Sequence, residues 1–394
     1  MQDQKKRLLL TNGRSPTTLY VARLLHARGH EVYITDPQKL HYCIFSNCVK
    51  KNFLVPSPRY QPQEFISKMI KIVNDYAIDM IIPTWEDVLL FSKNKNLFPK
   101  SCNLFVSDFD LLTKIHNKWT FINFLNDLGF ETPKTSIVCS MEDLKQIDIP
   151  LFALKPGFSR SSKNVYKVKQ GGPYPPIFPS VKQEWIAQEW LTGTIYCTYT
   201  ICHEGAVFAH STYPMEFIKN QEASTNTSIG SYCLSFGSIH HEKILLWTEE
   251  FVKKTHFTGQ IALDFFELES GEIYAFECNP RLTSGAALFA PNDCLDQAFL
   301  GTNTTPIYPS NNSFKQVLSA MLFLGWKPAI ICKKFPLYLK KLLSATDIIF
   351  HWNDLKPFLF QPLIMIKCIW QSLRKKSPIA SSFTDDLDYN GETV

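Results

Sequence analysis

The sequence predicts a mixed α/β and α+β protein: a Rossmann-like first domain, two α+β lobes, and a mainly helical C-terminal extension. Three observations predict it. The chain opens on a strand, a loop, an amphipathic helix and a second strand within its first 36 residues. Its middle holds short apolar strands around a Ser-, Gly- and Lys-containing loop. Farther on, two apolar runs, Ile261-Ala262-Leu263-Asp264-Phe265-Phe266 and Ile273-Tyr274-Ala275-Phe276, flank a turn at Gly271. The 394 residues allow two or three domains with ample core. The pattern of units places the first domain at roughly residues 1–112, and the character of the chain changes after about residue 300, leaving 301–394 as the extension.

In the first division, Leu8-Leu9-Leu10 reads as a strand. Ser15 is placed to cap a helix over residues 17–28, with Pro16 at its first position and Gly29 ending it. Residues 31–35 form the second strand, closing on Asp36. Only Gly13 stands where a dinucleotide fingerprint needs three glycines, so dinucleotide binding is not expected. A third unit ends in Met80-Ile81-Ile82 and the loop Pro83-Thr84-Trp85-Glu86-Asp87.

Residues 116–128 have the period of one amphipathic helix, stopped by Gly129 and Pro133. Lys118 lies in its first turn, where the helix dipole is positive. Either an anion lies nearby or the lysine is simply solvated. Strands 152–155 and 165–168 enclose the loop Pro156-Gly157-Phe158-Ser159-Arg160-Ser161-Ser162-Lys163-Asn164. Such a loop can fold over a triphosphate, with backbone N–H groups, Ser159 and Ser161, and cationic side chains as donors. Lys155 sits inside an apolar strand, so it meets an anion or a core carboxylate. The strand 185–191 contains Gln188, Glu189, Trp190 and Leu191 and leads into Thr192-Gly193, a hinge able to present backbone groups to a base.

The hairpin of the two apolar runs carries the chemistry. Adjacent antiparallel strands bring Asp264, Glu277, Asn279 and Arg281 to one spot. Oxygen ligands of this kind suit Mg²⁺ or Mn²⁺ beside a substrate phosphate, and Arg281 can bind phosphate as a fork. Acidic strand ends and an Asn-Pro turn also occur without function.

In this order the features resemble the ATP-grasp superfamily, close to the carbamoyl-phosphate-synthase large-chain and biotin-carboxylase type, over roughly residues 8–295. The first domain would then be the family's pre-ATP-grasp domain, 113–184 its small lobe or ATP lid, and 185–300 its large lobe. The resemblance implies ATP and Mg²⁺ as cofactors, with Asp264, Glu277 and Asn279 as metal ligands and Arg281 and Lys155 as catalytic cations. It implies Lys118 and Lys155 on the phosphates and Gln188, Glu189, Trp190 and Leu191 around adenine. It further implies a carbon–nitrogen ligase that activates a small carboxylate as an acyl phosphate for an amine. Two departures stand out: Ile195 takes the place of the usual ribose-binding acid, and Asn164 that of a usual loop glycine. A scaffold that binds nucleotide without turnover is the alternative.

Substrate contacts stay open among the Asn12–Pro16 loop, Glu86 with Asp87, and Ser284-Gly285, all of which also suit interdomain hydrogen bonding. A formal charge of +5 is too small and dispersed for nucleic-acid binding. Eleven cysteines without CxxC spacing suggest neither zinc nor disulfides. The N-terminus reads directly into a strand, so no signal peptide and a cytoplasmic location are expected. Residues 220–230 are expected as a mobile loop. Beyond residue 300 come a linker at 306–312, a short apolar helix at 316–324, Lys-pair and aromatic-rich helices over 333–378, and a polar, loosely ordered end. Those basic helices suit packing on the preceding domain or contact with an anionic membrane surface.

Overall fold

The computed structural model describes residues 5–159, 164–215, 234–310, 313–331, 335–376 and 379–391. The predicted mobile loop at 220–230 lies outside these residues, as do Arg160, Ser161 and Lys163.

The first domain is a parallel sheet of β1 (Arg7–Leu10), β2 (Glu31–Asp36), β3 (Val49–Leu54), β4 (Met80–Ile82) and β5 (Asn103–Leu104), in the order β3-β2-β1-β4-β5. Helix α1 (Pro16–Ala27) covers one face and α2 (Pro62–Tyr76) the other. Alternating β1 side chains explain the apolar run: Leu8 and Leu10 pack with Leu19, Ala22 and Leu25 of α1, while Leu9 packs with Phe65, Met69 and Ile72 of α2. Ser15 caps α1 through Thr18 N, with Pro16 at the first helical position, as expected. Gly13 serves packing, since a Cβ there would lie 2.6 Å from Ile34 Cγ2 and 2.7 Å from His41 Nδ1.

After α3 (Val88–Lys93) comes α4 (Phe109–His116), which was not expected, and then α5 (Lys118–Asp127), the helix expected at 116–128, starting two residues later. Asn117 separates the two with an extended backbone. Its Oδ1 accepts from Trp119 N at 2.8 Å and Thr120 N at 3.1 Å, capping α5.

The small lobe is an antiparallel sheet of β6 (Thr135–Val138), β7 (Leu151–Pro156), β8 (Tyr166–Lys169) and β9 (Trp185–Glu189), ordered β6-β9-β7-β8, with α6 (Met141–Lys145) alongside. Because β9 pairs with β6 and β7, the lobe extends through Glu189. The strand that follows the expected division at 184/185 is thus part of this sheet, which is hard to see in sequence because β9 runs straight into the hinge.

The large lobe contains β10 (Thr194–His203), β11 (Ala206–Pro214), the short β12 (Ser235–Gly237), α7 (Glu242–Thr255), β13 (Gly259–Glu267), β14 (Ile273–Asn279) and α8 (Leu295–Leu300). Four of its strands form an antiparallel sheet ordered β11-β10-β13-β14.

The extension is not purely helical. β15 (Phe314–Gln316) and β16 (Thr346–Asp347) join β12 in a three-stranded sheet, and the helix expected at 316–324 starts at α9 (Leu318–Ala320) and runs on through a π-helical turn (Met321–Gly325). Helices α10 (Trp326–Ile331), α11 (Phe335–Ser344), α12 (Lys356–Leu359), α13 (Gln361–Lys375) and α14 (Ile379–Thr384) follow. Arg23 of α1 anchors the extension: its Nε meets Asp354 Oδ2 at 2.9 Å and its Nη1 meets Ile348 O at 3.1 Å. Residues 383–391, expected as a loose polar end, pack back onto the first domain and the small lobe.

Candidate active site

The β13–β14 hairpin sets the frame. Its register places Asp264 directly opposite Glu277, with a bulge just after Asp264, and puts Asn279 opposite Ala262. Asn279 Nδ2 lies 3.4 Å from Glu277 Oε1, and Arg281 Nη2 lies 3.4 Å from Asn279 Oδ1. Two carboxylates, an amide and a guanidinium are thus consecutive neighbours, as the sequence implied. The oxygens of Asp264, Glu277 and Asn279 fit a hard divalent cation, with room in its coordination for substrate oxygens.

The lysine at the start of α5 is explained here. Lys118 is buried, its Nζ 3.5 Å from Glu277 Oε2 and donating at 3.0 Å to Ser159 O in the loop after β7. The carboxylate answers the unfavourable dipole position. Lys155 is buried in β7, donates to Gln188 Oε1 at 2.8 Å, and stands 5.1 Å from the centroid of Phe276. No core carboxylate touches it among the described contacts. Burial, with Lys118 nearby, pulls its ammonium down to about 7. Burial and the charge of Glu277 push the Asp264 carboxyl up. Burial also works against charge on Glu277, but Lys118 and Lys155 outweigh it and hold that carboxyl below its usual range.

Gln188 is fixed by a second bond from its Nε2 to Thr135 Oγ1 at 3.1 Å. Beyond it, Glu189 N donates to Lys134 O and Trp190 N to Leu151 O, while Lys167 Nζ stands 4.7 Å over the Trp190 ring. Gly193 must be glycine: a Cβ there would lie 2.1 Å from Glu267 O. Asn164 has φ of +59°, a left-handed conformation that asparagine tolerates, which accounts for its place where a glycine is usual. Ile195 pairs with Phe266 in the sheet and its carbonyl accepts from Met215 N at 2.8 Å, while its side chain has no oxygen to offer a ribose.

On the first-domain side, Arg281 stacks on Trp85 with its Cζ 3.9 Å from the ring centroid, and its Nε stands 3.6 Å from Glu86 Oε1. Asp87 is buried beside Trp85, accepts from Trp85 N at 3.3 Å, and is pushed up to about 7 by burial. Ser284 opens a short 3-10 turn whose Gly285 carbonyl accepts from Ser211. The sequence reading missed three parts: Asn117 as the cap that aims Lys118, Thr135 as the second partner of Gln188, and Trp85 as the platform under Arg281. Trp85 lay in a loop already singled out for its acids, and its aromatic ring next to a strand end was the available signal.

Residues 115–285 match the ATP-grasp domain family. Solved structures share the fold at low identity. The L-amino acid ligase of Bacillus licheniformis aligns at TM-score 0.52 and 15% identity over 71% of this chain and 68% of that one. N5-carboxyaminoimidazole synthetase of Staphylococcus aureus aligns at 0.56 and 14% over 78% and 80%. The biotin carboxylase domain of Hydrogenobacter thermophilus 2-oxoglutarate carboxylase, solved with MgADP and bicarbonate, aligns at 0.58 and 12% over 79% and 74%. No curated protein sequence matches. The segment 115–285 is an ATP-grasp domain, and the architecture around it is that of the ATP-grasp fold.

Proposed function

We propose that this protein is an ATP- and Mg²⁺-dependent carboxylate–amine ligase working through an acyl phosphate. The observation that carries the reading is the Asp264–Glu277 pair in register, with Asn279, Arg281 and Lys118 on its flanks. Asp264, Glu277 and Asn279 would hold the metal. When bound, it neutralises phosphate charge and orients the phosphates.

The chain's own cations do the rest. Lys118 and Lys155 sit where phosphate oxygens replace their present partners, and an arriving anion restores charge to Lys155. Arg281, steadied on Trp85, meets charge that develops on the transferring phosphoryl group. Ser159 and Ser161 would close the phosphate loop, and Gln188 to Leu191 would line the adenine pocket. A carboxylate oxygen attacks the γ-phosphorus and ADP leaves; an amine then displaces phosphate from the acyl carbon and gives up a proton. The test is a screen of carboxylic acids and amines for ADP release, with mass detection of the condensed product. Release that needs both partners supports the reading; ATP hydrolysis indifferent to every acid contradicts it.

One feature favours a second property, contact with a membrane surface from the cytoplasmic side. On α13, Leu363, Ile366, Trp370 and Leu373 form an outward stripe 47–73% exposed, ending in Arg374 and Lys376. Among the described residues no helix is long and apolar enough to cross a membrane. Co-sedimentation with phosphatidylglycerol vesicles, lost in Ile366→Glu with Leu373→Glu, tests it. Equal sedimentation of parent and variant contradicts it.

A further inference from the structure

Open parallel sheets place ligands in the crevice at the carboxyl ends of their strands, where the strand order reverses. Here the reversal lies between β1 and β4, whose following loops carry Arg14 and Trp85-Glu86-Asp87. That crevice is filled by the chain's own residues 383–391.

The contacts are specific. Arg14 is buried, and its Nε and Nη2 hold Asp36 at 3.1 and 2.6 Å. Its remaining edge faces the crevice: Nη1 takes Asp386 Oδ1 at 2.6 Å, Nη2 takes Asp386 Oδ2 at 3.1 Å, and Nη1 also donates to Phe383 O at 2.9 Å. Asp36 fixes the guanidinium so that its outer fork receives a second carboxylate. Arg59 Nη1 and Tyr60 Oη hold the Asp385 carboxylate at 3.1 and 2.8 Å. Trp85 Nε1 donates to Asp388 Oδ1 at 3.0 Å, and Glu86 Oε2 accepts from Tyr389 N at 2.6 Å. Arg281 also touches both Trp85 and Glu86. The Tyr389 ring meets Phe158 of the phosphate loop edge to face at 5.8 Å. Residues 383–391 therefore lie one side chain away from the proposed phosphoryl-transfer cation.

We propose that Arg14, Arg59 and Trp85 form a subsite for a carboxylate-bearing, peptide-like ligand, and that residues 383–391 are its built-in, displaceable occupant. This rests on the ligase reading for its consequence, that the carboxylate substrate and the tail exclude each other. Displacement exchanges the polar contacts for a ligand's own and lifts Leu387, Phe383 and Tyr389 from the apolar groups they pack against.

The test uses the full-length protein and its Asp385→Asn, Asp386→Asn, Asp388→Asn triple variant. The probe is a fluorescent peptide with the sequence of residues 383–391, with the same peptide carrying three Asn as control. The acidic peptide is expected to bind the triple variant at least about tenfold more tightly than the parent, and the Asn peptide to bind neither. Amide exchange at 383–391 is expected to speed up in the triple variant. The apparent KM for the carboxylate in ADP release is expected to fall. Equal peptide binding to parent and variant, or none to either, overturns the subsite. Peptide exchange without carboxylate-dependent ADP release refutes the ligase reading alone. Turnover with an unchanged KM and no peptide binding refutes this inference alone.

Discussion

Asp264 and Glu277 face each other across the β13–β14 ladder, and the bulge immediately after Asp264 lies at the same place. A bulge re-aims the strand beside a site. Two like charges so placed repel unless a cation lies between or beside them. Lys118 meets one side of the pair, 3.5 Å from Glu277. Burial and the neighbouring charge of Glu277 push the Asp264 carboxyl up all the same.

Lys155 is costly to the unliganded protein, because burial disfavours its charge and it donates to the neutral amide of Gln188. Lys155→Met is expected to raise the melting temperature at pH 7 while weakening ATP binding by about tenfold or more. Thermal melts and calorimetry check the two halves. A variant that melts lower and binds ATP as well as the parent would place the lysine in a structural role.

Gly193 leaves the hinge no spare volume, since a Cβ would meet Glu267 O at 2.1 Å. Gly193→Ala is expected to destabilise the protein by about 1–3 kcal/mol, typical of overpacking. Denaturant titration measures it, and a change within error would show that the hinge backbone shifts freely.

Much of this was readable from residues alone. The β1–α1–β2 opening followed from a capped amphipathic helix between apolar strands, and the β13–β14 hairpin from two β-rich runs around Gly271. Lys118 and Lys155 were conspicuous because a cation is out of place in a first helical turn or an apolar strand. Other parts carried no local signal. β3 is an edge strand with Lys50, Lys51 and Leu54 exposed, so it lacks the apolar alternation of a covered strand. Asn117 fits a continuous helical period and breaks it only through the cap it makes. Residues 383–391 are polar and read as loose; what orders them is Arg14, more than 360 positions away in sequence. Ser161 falls outside the described residues.

Asp87 gives a pH dependence. Burial pushes its carboxyl up to about 7, so the folded chain keeps a proton that the unfolded chain releases near pH 4. Stability contributed by this group is present at low pH and is lost as pH rises from about 4 to about 7. Asp87→Asn keeps an acceptor for Trp85 N and removes the titration. The melting temperature of the variant is expected to gain on the parent across that window. A constant difference from pH 4.5 to 7.5 would contradict the assignment.

The central claim is that the carboxylate pair on β13 and β14 runs a metal-dependent phosphoryl transfer. The most direct measurement is carboxylate-dependent ADP release by the Asp264→Ala, Glu277→Ala double variant, at saturating ATP and Mg²⁺, beside the parent. The account predicts a fall of about a thousandfold or more with the fold intact by melting. Turnover at the parent's rate would contradict it.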